Sequence, residues 1–351
     1  MLLYLHIPFC DSKCFYCAFN SYTNLFHLKK AYMNALKIQL KQELKTINKT
    51  IQTVFIGGGT PSCINALEYQ EVFEIIFPYL QKNAEITIEA NPNSATQVWL
   101  EQMFAYGVNR ISFGVQSFDD KKLQFLGRAH NAQKAKEAIL LAKKVGFEKI
   151  NCDLIYGVFN DTLDSLKKDI DIIKSLPVDH ISAYSLTLEE GTQFFQKKSV
   201  KIDDEELSYQ LFEYLEQLGF HQYEISNFAS KKDSQSVHNI GYWQHQEYLG
   251  IGAGAVGYGN GKRVYAAKEI ERYIQNPFEC EEELLSQEDI KMEKVLLGFR
   301  CCIGVACDLL NENELQKVEE LVQNSQLYLK NNRIFTKSFL LADELALYIL
   351  D

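Results

Sequence analysis

Through its first 186 residues the chain repeats one phrase: a short apolar run, a turn, then a longer stretch with apolar residues at helical spacing. Residues 3–7, 52–56, 85–90, 109–115, 149–155 and 179–186 read as strands. Between them, residues 25–44, 66–80, 95–106, 132–145 and 163–175 read as helices. Strands that alternate with helices in this way pair in parallel, because the helix carries the chain back across the sheet. A closed barrel of eight such units takes about 250 residues. Six units in roughly 200 residues predict an α/β fold built as an open, partial (β/α)6 barrel.

After residue 186 the rhythm changes. Residues 203–218 read as a helix and 221–228 as an added strand, and residues 249–259 hold five glycines. From residue 284 the pattern is mainly helical, apart from a polar hairpin-like Lys330-Asn331-Asn332-Arg333. The expected organisation is a barrel core over 1–230, a segment over 231–283 that completes it, and a helical C-terminal domain over 284–351. That last quarter is the acidic part: from Lys268 onward there are 17 acidic against 9 basic side chains.

Composition excludes several classes. With 46% hydrophobic residues, 23% charged residues and six prolines, the chain has apolar surface enough for a core and is not disordered. A net charge of −10 makes nucleic acid an unsuitable partner. No apolar run reaches the ~18 residues of a membrane span. The apolar start lacks the basic head of a signal peptide and runs into Asp11, Ser12 and Lys13. Nine cysteines, an odd number at uneven spacing, argue for a reducing compartment, so the expected location is the cytosol.

Three of those cysteines carry the chemistry. Cys10-Asp11-Ser12-Lys13-Cys14-Phe15-Tyr16-Cys17 is a C-x3-C-x2-C triplet directly after the first strand, the end of an α/β barrel strand where active sites are built. Three thiolates from one loop can hold an iron–sulfur cluster. A 4Fe–4S cluster usually takes four, so three leave one iron with an open site. Zinc also takes clustered thiolates, but usually in two separated pairs, and no second set exists. The other six cysteines (Cys63, Cys152, Cys280, Cys301, Cys302 and Cys307) are expected to pack in the core.

This loop resembles that of the radical S-adenosylmethionine (SAM) enzymes. The resemblance implies a 4Fe–4S cluster held by Cys10, Cys14 and Cys17, with SAM chelating the fourth iron and cleaved there to a 5′-deoxyadenosyl radical. Further matches recur at successive strand ends: Gly57-Gly58-Gly59-Thr60-Pro61 after the second, Glu89 on the third, Gln116 on the fourth, then Arg128, and Asp153 on the fifth. Glycines there let backbone amides approach a polar ligand.

These wordings are similar to one branch, the oxygen-independent coproporphyrinogen III oxidases and the HemW-type haem chaperones, over nearly the whole chain. The similarity implies that Tyr4, Gly58, Glu89 and Val256 hold the cluster-bound SAM. It implies that Tyr16, Gly59, Thr60, Gln116, Arg128, Asp153 and Thr187 fall where the oxidase holds a second copy.

Two departures separate this chain from the oxidase. The oxidase pattern carries a further cysteine two residues past the triplet, where this chain has Phe19. The oxidase also has a long N-terminal extension that covers its substrate, whereas the triplet here starts at residue 10. His238-Asn239-Ile240-Gly241-Tyr242-Trp243 matches the H-N-x-x-Y-W signature of the chaperones, whose histidine is implicated in haem binding. An imidazole ligates haem iron well, and Tyr242 and Trp243 suit a flat apolar macrocycle. Where chaperones of this branch often carry a histidine in the glycine-rich stretch, this chain has Val256.

The expected function is that of a haem chaperone, which carries the cluster and SAM and passes haem to apo-haemoproteins such as respiratory enzymes at the membrane. The alternative is the oxidase reaction, in which two propionates of coproporphyrinogen III become vinyl groups.

Overall fold

The computed structural model describes residues 1–351. Six parallel strands form its frame: β1 (Leu2–Ile7), β2 (Ile51–Gly58), β3 (Leu80–Ala90), β4 (Arg110–Gln116), β5 (Lys149–Tyr156) and β6 (His180–Ser185). They lie side by side in chain order, as the sequence repeat predicts. The crossovers are α1 (Lys29–Thr46), α2 (Gln70–Ile76), α3 (Gln97–Ala105), the pair α4 (Asp120–Phe125) and α5 (Ala132–Val145), and α6 (Leu163–Ser175). This is the expected partial barrel.

Caps explain the sharpest boundaries. The Asn131 side chain accepts from the Lys134 N–H at the start of α5, and Gly146 ends that helix at φ 125°. Thr162 and Ser165 form a reciprocal capping box at the start of α6. The helix expected over 66–80 is instead broken into a short α2 between two 3-10 turns, the second containing Pro78, whose ring stops an α-helix.

The strands bury both faces, but with different chemistry. Ile86, Ile111, Phe113, Ile150 and Ile181 pack under the helices in a core of 56 buried residues. The alternating positions Glu85, Thr87, Arg110, Ser112, Asn151, His180 and Ser182 are buried and polar, so with a period of two they fill the barrel's inside.

Beyond β6, α7 (Glu205–Gln217) leads to β7 (His221–Gln222) and β8 (Asn227–Ala229), two short antiparallel strands in place of the single strand expected over 221–228. Next comes α8 (Val237–Trp243). The glycine-rich stretch forms β9 (Tyr248–Ile251) and β10 (Val256–Gly259), followed by β11 (Lys262–Ala266), α9 (Ile270–Gln275) and β12 (Cys280–Leu284). β9 pairs in parallel with β1, and β10–β12 continue antiparallel, so the sheet has twelve strands. Glycine is required at Gly250, where a Cβ would lie 2.0 Å from the Val256 carbonyl oxygen.

The C-terminal part has the expected helices, α10 (Gln287–Phe299), α11 (Glu312–Gln323) and α12 (Ala342–Leu350). They pack with a three-stranded sheet of β13 (Val305–Ala306), β14 (Leu327–Lys330) and β15 (Arg333–Thr336) around a separate core of 12 buried residues. The predicted hairpin joins β14 to β15, with Asn331 and Asn332 at positive φ. No helix is long and apolar enough to cross a membrane.

One expectation needs correction. Among the six cysteines outside the triplet, only Cys152 and Cys301 are buried, while Cys280 and Cys302 are exposed. Cys280 opens β12, an edge strand exposed along its whole length, and Cys302 sits in the turn after α10 rather than in a helix.

Candidate functional site

β1 delivers the chain to the C-terminal mouth of the barrel, and the cysteine loop begins there. Backbone bonds pin this loop at both ends: Cys10 N–H to Tyr22 O at 3.1 Å, and Phe15 N–H to Leu126 O at 3.1 Å. Lys13 Nζ donates to Phe19 O and to Ser21 Oγ, both at 2.7 Å, folding the loop back on itself. The three thiols face a cavity of about 490 Å³ at the strand ends. That volume is ordinary for a small-molecule or cofactor site.

Gly58, Gly59, Thr60, Glu89 and Gln116 line this cavity opposite the loop. Tyr16, Arg128, Asp153 and Thr187 line it too. Twelve of the residues singled out in the sequence therefore converge, the three cysteines included. Tyr4 and Val256 do not join them; with Tyr242 they line a neighbouring cavity of about 640 Å³. Ala18 and Phe19 belong to both walls.

The glycines are required by space as well as by conformation. A Cβ on Gly59 would meet the Ile7 and Phe9 carbonyl oxygens at 2.8 and 2.7 Å, and Gly58 sits at φ 111° with the His6 ring where a Cβ would be. Thr60 Oγ1 donates to Cys10 Sγ at 3.3 Å. Burial pushes the Cys10 and Cys17 thiols up, so an empty loop holds them protonated, and a metal is what makes them thiolates.

Two part-buried carboxyls face the thiols. Glu89 accepts one hydrogen bond, from the Gly58 N–H at 3.1 Å. Burial pushes its carboxyl up to about 8, and the nearby Asp153 charge adds to the shift. Asp153 is pushed up to about 6 by burial, against hydrogen bonds from Asn151, Ser182 and Ser112. Arg128 spans the site: Nη1 donates to Cys14 Sγ at 3.1 Å, Nη2 to the Gly114 carbonyl, and Nε is buried without a partner. Gln116 reaches the mouth at φ 74°, a conformation costly for a non-glycine residue. The loop after it is clamped by Asp169 of α6, which accepts from Ser117 Oγ and from the Phe118 N–H, each at 2.7 Å.

Sequence reasoning missed the support beneath this site. Asn151 Nδ2 donates to Asp153 Oδ1 at 2.6 Å, and its Oδ1 accepts from His180 Nδ1 at 2.6 Å. The other His180 nitrogen meets Tyr223 OH at 2.7 Å, and that oxygen accepts from the Ser236 N–H at 3.1 Å, at the start of α8. A hydrogen-bonded chain thus runs from the cavity floor to the helix that carries the H-N-x-x-Y-W residues. Its sequence signal is the polar alternation Asn151/Asp153 and His180/Ser182 in otherwise apolar strands.

His238 lies in neither cavity. Its ring is 1% exposed, held by Thr53 Oγ1 at 2.7 Å from Nδ1 and packed beside Phe55 and Tyr242. The His238 backbone N–H donates to Glu85 Oε1 at 3.1 Å, toward the strand beginnings and away from the mouth. Nε2 has no partner, and burial pushes the imidazole down to about 3, so it is neutral. Trp243 is half-buried with its Nε1 unpartnered.

No three His, Cys, Asp or Glu side chains are gathered around one point, as a single bound ion requires. A cubane cluster asks for something else, because each thiolate binds its own iron at a separate corner. The donor set, the glycine cradle, the Glu89 carboxyl on the cavity wall and the unpartnered Arg128 Nε together fit a cluster with a zwitterionic ligand beside it.

A partial barrel with this cysteine loop defines a radical SAM protein, and the Radical SAM superfamily model matches residues 4–173. Coproporphyrinogen III oxidase (HemN) from Escherichia coli, described as a radical SAM enzyme, shares the fold with a TM-score of 0.83 at 22% identity over 99% of this chain and 89% of its own. The heme chaperone HemW of Bacillus subtilis is 36% identical over 323 residues, covering 86% of this chain and 84% of that protein. HemW of Haemophilus influenzae is 35% identical over 350 residues, covering 94% and 88%. The chain belongs to the HemW family.

Proposed function

We propose that this protein is a haem chaperone that holds a 4Fe–4S cluster on Cys10, Cys14 and Cys17, binds SAM in the adjoining cavity, and passes haem to apo-haemoproteins. The cofactor half rests on one observation: three thiols on one loop look across a glycine-lined cavity at a part-buried carboxyl that accepts a single hydrogen bond. When bound and reduced, the cluster supplies an electron to the sulfonium of SAM. The residues around it bind and orient. Glu89 is placed to take the ammonium of the methionine end, an exchange that would draw its proton off. The Gly58–Gly59–Thr60 backbone lets that end approach closely, and Arg128 offers a part-buried guanidinium to a carboxylate while fixing Cys14. Asp153 and Gln116 are polar partners for the second copy that the resemblance to the oxidase suggests.

The chaperone half is supported by the family, whose members named above are heme chaperones. His238, Tyr242 and Trp243 are the haem-contacting residues the sequence motif suggests. His238 is enclosed as it stands, so ligation by it requires α8 to move off Phe55 and Thr53. Respiratory enzymes at the membrane are the proposed acceptors, reached from the cytosol by a protein that docks without spanning.

An anaerobic experiment tests both halves. Reconstituted protein with reductant and SAM is incubated with coproporphyrinogen III, and a second sample is titrated with haemin. The expected outcome is saturable haemin binding without porphyrinogen turnover. Multiple turnovers to protoporphyrinogen would make the chain an oxidase and overturn the chaperone reading.

A further inference from the structure

The second cavity has a chemistry of its own. Tyr4 and Tyr242 wall it from the barrel side, and Tyr248 and Tyr258 from the β9–β10 strands. The Tyr242 and Tyr248 rings meet edge to face with centroids 4.7 Å apart, and Tyr248 and Tyr258 lie 6.3 Å apart. Four tyrosines on one cavity make a broad apolar slot with polar rims, which suits a flat, amphipathic ring. At about 640 Å³ it is large enough for a cofactor-sized guest. Lys268 stands on the same wall and adds positive charge, while Arg263 beside it is paired with Glu293.

Two histidines line this cavity, and their hydrogen bonds separate them. His6 has both nitrogens committed, Nδ1 to Tyr4 OH at 2.9 Å and Nε2 to Asn20 O at 2.8 Å. His245 has one committed: Nε2 meets Glu293 Oε2 at 2.7 Å. A carboxylate there accepts the Nε2–H and fixes the tautomer, which leaves Nδ1 with its lone pair. This carboxylate–imidazole pairing is the usual outer-shell support of a metal-ligating histidine. Glu293 is held in turn by the Arg263 guanidinium. His245 also sits at φ 56°, a left-handed backbone position that places this ring against Tyr258 at 4.5 Å between centroids.

We propose that this cavity is the seat of the cargo: the haem macrocycle lies between Tyr242, Tyr248 and Tyr258, leaving the Tyr4 and Val256 end to SAM, His245 supplies the axial nitrogen, and Lys268 faces a propionate. The inference rests on the chaperone reading and deepens it, because it moves the ligand from enclosed His238 to a histidine on a cavity wall. Ala18 and Phe19 form part of both cavities, so the seated macrocycle borders the cluster loop.

The test uses the full chain titrated with haemin and followed at the Soret band. The variants are His245→Gly, which relieves the positive φ rather than straining it, His238→Ala and Lys268→Glu. Wild type is expected to bind saturably. His245→Gly is expected to bind about tenfold more weakly or worse and to lose the wild-type band position, with free imidazole restoring the band. Lys268→Glu is expected to remove the preference for haemin over its dimethyl ester, about tenfold for one charge-assisted contact. His245→Gly with unchanged affinity and spectrum, or a band that imidazole does not restore, overturns the site and leaves the chaperone reading standing. Loss confined to His238→Ala has the same meaning. No saturable binding by wild type overturns the chaperone reading, and this proposal with it.

Discussion

Replacing Glu89 with glutamine isolates the electrostatics of the cofactor cavity. In the folded, unliganded protein this carboxyl is pushed up to about 8 by burial and by Asp153, against an ordinary value of about 4.3 in an unfolded chain. Below about pH 4 both states carry the proton and the group favours neither. As pH rises, the unfolded chain ionises first, so folding must take up a proton. Stability then falls until the folded carboxyl also ionises near pH 8, and is flat above that. At 1.36 kcal/mol per unit, the loss between pH 5 and pH 8 is about 3–4 kcal/mol. Glu89→Gln keeps the shape and hydrogen-bonding capacity but removes the charge. Urea unfolding of both proteins without cluster or SAM, at pH 5, 6, 7 and 8, reads the difference directly. The variant is expected to lie nearest to wild type at pH 5 and to gain on it steadily toward pH 8, while SAM affinity falls for want of the ammonium's partner. Parallel pH profiles would refute the part-buried, proton-holding Glu89. A wild type that becomes more stable from pH 5 to 8 relative to the variant would reverse its sign.

Other consequences are as direct. Gly59→Ala puts a methyl group within 2.8 Å of two carbonyl oxygens that cannot move aside; iron incorporation on reconstitution should drop while the far-ultraviolet spectrum stays that of the wild type, at a stability cost of about 1–3 kcal/mol. Asp169→Ala removes both anchors of the loop behind Gln116; a loss of about 2–3 kcal/mol in urea unfolding is expected, with faster amide exchange at Ser117 and Phe118. Asn151→Leu strands Asp153 and His180 without their shared partner; stability should fall by about 2–3 kcal/mol, and SAM binding should weaken although residue 151 lines no cavity wall.

The parallel frame was legible because its signals are local. Residues 132–145 and 163–175 begin at Asn131 and Thr162 and match the observed helices α5 and α6. The cysteine triplet and the glycines after β2 were legible because each chemistry demands one residue type at one spacing. The extension of the sheet beyond β1 was not, since Gly250 and Gly257 belong to β9 and β10 without the apolar alternation that marks a strand. The small C-terminal sheet shares this cause: Tyr328 and Leu329 are exposed apolar residues on a short strand, and Leu327 alone faces the core. Tyr4 and Val256 are far apart in the chain, and it is the pairing of β1 with β9 and the turn into β10 that bring them onto one cavity wall. Sequence order does not report that meeting.

The cluster can be measured most directly as iron and sulfide bound per chain after anaerobic reconstitution, with electron paramagnetic resonance of the reduced sample before and after SAM. The expected result is about four of each per chain, lost in the Cys14→Ala variant, and a reduced-cluster signal that changes shape when SAM is added. Zinc alone, one iron per chain, or a signal indifferent to SAM would contradict it.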